Sequence, residues 1–519
     1  MGTQAMLPGW VVFAAAIGYL LLLFAVASFG DRLSRRRSPA KGRPLVYALS
    51  LAIYCTSWTY FGGVGLASQR GLEFAAIYIG PILIFTLGLP LMRRIITLAK
   101  SEKIVSPADF VAARYGKNPT VAAFVALISL IGAIPYIALQ LKAISSSVSA
   151  MVGTGAFAGN AGGFSFAALP LLVTVFLAFF AVIFGTRHTD ATEHQDGLIL
   201  AIATESVVKL VAFCTAGLFV VFFLFDGPSA LFRAAQSSSE AMGALHYQTS
   251  IGRWLLLILL SAFAVIMLPR QFHVTVVENR TAGELRMAGL LFPIYLIAIN
   301  IFVIPIAIAG VLVLDKTGNP DLYILNLPLQ AGAHAVSLIT LIGGFSAATA
   351  MVIVETVALA IMVSNDIVMP VILRRRLVTP SLQQTDYTQF LLRVRRTAIF
   401  VVLLASYAYY TSTDSAAGLA SIGLLSFASV AQIAPSLFGG LVWSRANARG
   451  AISGMSAGFF MWLYFLFLPS FGLSQNDVLA GRILAFLFPG TTVFDGPGAD
   501  NLVNATLLSL MVNTALFII

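Results

Sequence analysis

The sequence predicts an all-α polytopic membrane protein with about thirteen transmembrane helices, and three observations carry that prediction. The first is composition: of 519 residues, 59% are hydrophobic and only 10% charged, where soluble domains run at about 25% charged; the mean hydropathy is +0.92. The second is that apolar segments of ~20 residues, enough to cross ~30 Å of hydrocarbon, recur along the whole chain. The third is that Lys and Arg collect in alternate loops, the mark of the cytoplasmic side of a membrane protein.

Taken in order, the spans fall at 10–29, 44–68, 74–97, 119–150, 166–185, 197–225, 250–269, 287–314, 334–365, 394–411, 416–443, 448–470 and 501–519. The first is a true span: its apolar run is too long for a signal peptide, and its basic cluster follows it instead of preceding it. Residues 1–43 therefore comprise a span and a basic loop. Residues 44–443 form a core of two units (44–225 and 250–443), and 444–519 add two C-terminal spans. The basic loops carry Arg32, Arg35, Arg36, Arg37, Lys41 and Arg43; Arg93, Arg94, Lys100, Lys103, Arg114 and Lys117; Arg187; Arg270, Arg280 and Arg286; Arg374, Arg375, Arg376, Arg393, Arg395 and Arg396; and Arg445 and Arg449. The opposite loops hold only Arg70, Arg233, Arg253, Lys316 and Arg482. The N-terminus is expected outside and the C-terminus inside. The pI of about 9.7 is thus an orientation signal, and the expected partner is the lipid bilayer, with no nucleic acid. Cys55 and Cys214 both lie in spans, which excludes a disulfide framework and a CxxC metal site. The histidines (His188, His194, His246, His273, His334) form no metal-ligating pattern.

Two spans should not be straight. Span 2 carries Thr56, Ser57, Thr59, Gly62, Gly63 and Gly65 at mid-membrane, and span 7 ends in "SAFAVIMLPRQF", where small residues precede Pro269. Irregular backbone survives in lipid only where it faces protein or a wet cavity. Such weak points at corresponding places in two halves point to a transporter binding site. Spans 2–6 and 7–11 are five-span units, and an odd number per unit inverts the second relative to the first. The expectation is a span 2 that unwinds around its glycines and offers bare carbonyls and N–H groups to a ligand.

Four stretches then acquire meaning together: "YCTSWTYFGGVGLASQRGLEF", "GGFSAATAMVIVETVALAIMVSNDI", "FASVAQIAPSLFGGLVW" and "WSRANARGAISGMSAG". In their order and spacing the chain resembles the sodium/solute symporter family, which implies a LeuT-like core of two inverted five-helix repeats. "GTRHTDATEHQDG", "ATESVVKLVAF" and "LPRQFHVTVVEN" resemble more closely the membrane modules of bacterial hybrid proteins in which such a symporter is fused to a sensor histidine kinase. That resemblance implies L-histidine uptake, a bacterial inner-membrane location, and a kinase and response regulator reached through a C-terminal continuation beyond Ile519. No catalytic or phospho-acceptor motif of a kinase occurs within these residues, and no cofactor is expected beyond a coupling cation, proton or sodium.

By the resemblance, sodium ligands carry over to the carbonyls of Ala52, Cys55 and Gly343 and to a hydroxyl pair at Ser346 and the next position. That position is Ala347, so one hydroxyl is missing; Thr349, on the same helix face as Ser346, is the candidate replacement. Both hydroxyls otherwise simply bond to the i−4 carbonyl. Tyr54 stands where proline-transporting relatives carry an aspartate. Glu205 and Lys209 are spaced i,i+4 in span 6: either a structural ion pair, or a lysine ammonium that replaces sodium and couples protons. Lys142 either runs its stem along apolar surface or lines the pathway. Glu355, on the opposite face from Ser346, reads as an interhelical acid. The substrate candidates are Trp58, Thr59, Tyr60, Phe61, Gly62 and Gly63, with Glu73, Ser261 and Phe263. The aromatic residues offer a wall for an imidazole or else pack the core, and Glu73 is either a ligand or an exposed acid beside Arg70. The function expected is import of L-histidine by alternating access. The rivals are a solute-binding receptor without net transport, a sodium-coupled symporter of another amino acid, and a structural scaffold.

Overall fold

The computed structural model describes residues 7–34, 42–152, 169–185, 195–314, 318–378, 388–413, 418–472, 479–487 and 501–519. His188, His194, Arg187, Arg35, Arg36, Arg37, Lys41 and Lys316 lie outside them. The described residues are helical, with no strand among them. Each of the thirteen apolar segments carries helix. Among the described residues eight helices are individually long and apolar enough to cross a membrane, or ten if each of two bent pairs is one span. The segments at Pro44–Tyr54 and Pro170–Ile183 are shorter apolar helices, and Thr388–Ser412 occupies the tenth place. This is a multi-pass membrane protein.

The packing carries the inverted symmetry. Span 7 (Ile251–Met267) packs on Ala76–Thr86 of span 3, and span 2 (Pro44–Ser50) packs on Ala282–Asn300 of span 8. Span 6 (Asp196–Leu218) packs on span 9 (His334–Met362), and span 11 (Leu419–Val430) packs on span 4 (Pro119–Val152). Exchanging the two five-span units maps each of these contacts onto its counterpart. Span 1 (Gly9–Ser34) lies on span 6, and span 13 (Asn501–Ile518) lies on span 12 (Ala448–Trp462).

Both expected breaks occur: that of span 2 falls at its polar residues and not at its glycines, and that of span 7 at its proline and not at the small residues before it. Span 2 is interrupted at Cys55, whose backbone is extended (φ −79°, ψ 97°), and helix resumes at Trp58 as a wide π-turn, Trp58–Gly62. Gly62 and Gly63 are helical (φ −64° and −62°), so the expected unwinding at the glycines is corrected. Gly62 serves close approach instead: a Cβ there would meet that of Leu419 at 3.1 Å. In span 7 the helix runs unbroken through Ser261, Ala262 and Ala264, and breaks at Leu268 (φ −60°, ψ 130°). Proline disfavours α-helical geometry in the residue before it, and Leu268 precedes Pro269. The two halves of span 7 meet at 55°, and the second ends in another π-turn, His273–Val277. Arg270 therefore belongs to a span and is fully buried, not to a basic loop. Span 3 holds an unexpected 69° bend ahead of Leu89–Ser101, a helix whose apolar and basic residues take opposite faces.

Candidate functional site

The broken backbone of span 2 is satisfied from span 6. A helix end leaves its last carbonyls unpaired and carries partial negative charge. Here the Lys209 ammonium donates to the Ala52 carbonyl at 2.6 Å and the Cys55 carbonyl at 2.7 Å. On span 9, Ser346 Oγ donates to the Glu205 carbonyl at 2.7 Å, and Thr349 Oγ1 donates to Glu205 Oε1 at 2.6 Å. The Tyr19 ring of span 1 brings its hydroxyl toward Glu205 and Ser346. Ala52, Cys55, Ser346, Thr349 and Lys209 are thus gathered by spans 2, 6 and 9 about the Glu205–Lys209 turn. The Lys209 ammonium itself occupies the space between these groups.

One reading needs correction. No ion pair joins Glu205 to Lys209 among the described residues: the ammonium turns to span 2 and the carboxylate to span 9. Gly343 lies within the unbroken helix of span 9, where its missing Cβ admits the Tyr60 ring and the Ala212 methyl.

The second break is met with the opposite charge. A helix N-terminus presents free N–H groups and partial positive charge. Glu355 Oε2 of span 9 accepts from the Arg270 backbone N–H at 3.3 Å and from its Nη1 at 3.0 Å. The Arg270 guanidinium carbon lies 4.5 Å over the Tyr136 ring of span 4. Tyr136 shares a 2.9 Å hydrogen bond with Thr56 at the first break and stacks on Phe427. Gln140, one turn further along span 4, accepts from the Ser57 N–H at 3.1 Å. Arg270, Tyr136 and Gln140 were not among the candidates. The available signal was an arginine directly after the proline of an interrupted apolar run, and polar side chains at helical spacing within span 4.

The substrate candidates separate into several places. Trp58 Nε1 donates to the Ala420 carbonyl at 3.0 Å, and Gly423 accommodates the indole. Thr59 faces the Cys55 thiol and the Tyr78 hydroxyl. Tyr60 and Phe61 do not line a wall: Tyr60 donates to the Thr340 carbonyl, stacks edge-on with Phe213, and with Phe61 packs into the glycine pair Gly343 and Gly344. Glu73 is neither exposed nor free. It is fully buried, with Arg253 at 2.8 Å, Arg70 at 3.3 Å and a hydrogen bond from Thr249 at 3.0 Å. Ser261 donates to the Ile258 carbonyl at 2.8 Å, in its own helix, and abuts Gly80 of span 3. Phe263 lines an apolar cavity of about 690 Å³ with Phe438, Trp443 and Phe517, and no residue of either break shares that lining.

Charged clusters close both ends. At the basic end, Asp196 Oδ1 holds Arg43 and Arg280, each at 2.6 Å, while Glu284 accepts the backbone N–H of the same two residues. These contacts tie together spans 2, 6 and 8. At the other end, the Glu73 cluster joins spans 3 and 7, and Asp321 Oδ2 accepts the Leu419 N–H at 2.9 Å.

Two broken spans at corresponding places in the two units, each capped by a counter-charge from its own unit, define a LeuT-like helical fold with its polar centre at the breaks. Comparison with known proteins agrees. The chain covers 98% of its length and 96% of the other's on a Na+-coupled sialic acid symporter solved in a substrate-bound outward-open state, with TM-score 0.65 and 14% identity. In sequence it is 24% identical over 424 residues to the uncharacterized symporter YhjB of Bacillus subtilis, spanning 80% of this chain and 79% of that one. It is 25% identical over 423 residues to the uncharacterized symporter YodF of the same organism, spanning 80% and 78%. No family model matches the chain.

Proposed function

We propose that this protein is a secondary transporter that imports an amino acid by alternating access, coupled to protons and independent of sodium. L-histidine is the first substrate to test. The observation that carries the coupling is the Lys209 ammonium on the Ala52 and Cys55 carbonyls. A cation bridging the broken helix to span 6 is supplied covalently, and the two hydroxyls that would complete a sodium shell are bonded to Glu205 instead. An ammonium that releases its proton toward one side and regains it from the other does the work of an exchanging ion. The symporter names of the two bacterial relatives support transport. The sodium coupling in the fold neighbour's description favours the rival reading, against which stands the occupied cation position.

In this reading the basic end faces the cytoplasm of a bacterial cell and the Asp196–Arg43–Arg280 cluster is the inner gate. The resemblance of "GTRHTDATEHQDG", "ATESVVKLVAF" and "LPRQFHVTVVEN" to kinase-fused modules is the ground for a sensory role, in which solute passage or occupancy is reported to a kinase and response regulator. The test is an uptake screen of labelled amino acids in proteoliposomes under an inward proton gradient without sodium. Saturable, gradient-dependent accumulation of L-histidine supports the reading. Saturable binding without accumulation would make the protein a receptor.

A further inference from the structure

Arg270 is fully buried at the break of span 7, yet only one of its three guanidinium nitrogens has an acceptor. Nη1 donates to Glu355 Oε2 at 3.0 Å, whereas Nε and Nη2 have no partner among the described residues. Those two nitrogens share one edge of the guanidinium plane. It is the edge whose parallel N–H bonds match the two oxygens of a carboxylate, and it distinguishes arginine from lysine as a recognition residue. The plane is held for this purpose. One face lies on Tyr136, which is fixed by Thr56 and Phe427, and Glu355 anchors the far nitrogen.

Burial makes the arrangement informative. Buried polar groups are nearly always paired, and each exception calls for an explanation. Such exceptions occur elsewhere among the described residues as well, but four of them meet at the two breaks: Nε and Nη2 of Arg270, Glu355 Oε1, and Ser57 Oγ, whose own N–H is tied to Gln140. An ion pair serving only to hold helices together is readily replaced by apolar side chains without loss. It gains nothing from an unoccupied fork. The position is also where broken helices of this fold class present polar groups to a solute.

We propose that Arg270 is the carboxylate-binding residue of the transport site, its Nε/Nη2 edge gripping the solute's carboxylate with both oxygens, and Glu355 and Tyr136 its positioning residues. The proposal rests on the transporter reading and narrows it to solutes bearing a free carboxylate.

The experiment titrates purified protein with each of the twenty α-amino acids by thermal shift, then with the amino alcohol of whichever binds, in which CH2OH replaces the carboxylate (L-histidinol for L-histidine). The wild type is expected to favour the acid by about 30-fold or more, the range for leaving one partner of a charged pair unpaired. Two variants follow. Arg270→Lys keeps the charge and loses the fork; Arg270→Gln combined with Glu355→Gln removes both buried charges together. In each, affinity for the acid should fall about 30-fold while that for the alcohol stays within about 3-fold, so that the preference collapses. A structural role would not change that ratio. Retention of the wild-type preference in a folded variant overturns the proposal and leaves transport intact. If neither variant folds, the wild type decides alone: equal affinity for acid and alcohol overturns the proposal. No stabilisation by any amino acid sinks the transporter reading, and this proposal with it.

Discussion

Lys209→Met removes the ammonium from the first break while keeping most of the side chain's volume. The structure sets the scale. Two charge-assisted hydrogen bonds, at 2.6 and 2.7 Å, each contribute about 1.5–3 kcal/mol net, and their loss leaves two buried carbonyls without donors. Relief from burying an ammonium offsets part of this. The expected net destabilisation is about 3 kcal/mol, the lower part of the range for breaking a buried charge contact. Sodium should then recover it. The Ala52 and Cys55 carbonyls become available to the ion, the Ser346 and Thr349 hydroxyls keep oxygen lone pairs for it while donating to Glu205, and binding at a hundred times Kd stabilises by about 2.7 kcal/mol. Adding Ala347→Ser should strengthen that response. The assay is thermal melting of the detergent-solubilised protein in sodium chloride against choline chloride, with the wild type unresponsive to the choice. Saturable stabilisation of the wild type by sodium would refute the reasoning. So would a Lys209→Met variant as stable as the wild type and indifferent to sodium.

Gly343→Ala should cost about 1–3 kcal/mol, as overpacking does, because its methyl enters the space of Tyr60 and Ala212; Ala212→Gly in the same chain should restore part of the loss in a melting experiment, and additive effects would place the clash elsewhere. Asp196→Asn frees Arg43 and Arg280, so in a Cys214→Ser background an impermeant thiol reagent applied to the basic side should label the buried Cys55 faster than in the parent; an unchanged rate would show that this cluster is not a gate. For orientation, with Cys55 and Cys214 replaced by alanine, a cysteine at the exposed Ser237 should label from outside in intact cells. One at Arg94 should label only after permeabilisation, and the reverse pattern would invert the topology.

The hydropathy of the chain made the spans legible because crossing lipid needs long apolar helices whatever their packing. The pairing of units was legible from span parity alone. The break in span 2 was legible as a region and misplaced in detail. Gly62 and Gly63 were read as unwound because glycine is a poor helix former, but in a packed membrane core they serve close approach, and side-chain contacts from Lys209, Tyr136 and Gln140 determine where the helix opens. Lys209 was legible as a residue of this centre, since a lysine in an apolar span needs a partner. That its partners are carbonyls and not Glu205 depends on how spans 2 and 9 flank span 6, which no local pattern encodes. Arg270 was hidden by the convention that places a charge after an apolar run in a loop. Glu73 was legible as an acid beside Arg70, but not as a buried one whose two oxygens both have protein partners.

The most direct test of the account is uptake of labelled L-histidine into proteoliposomes with the sodium and proton gradients imposed separately. Accumulation should follow an acid-outside proton gradient in sodium-free buffer, be unchanged by an inward sodium gradient, and lose its proton dependence in Lys209→Met. Accumulation that follows sodium and ignores pH would contradict the account, because Lys209 would then have to leave the Ala52 and Cys55 carbonyls for the ion to bind.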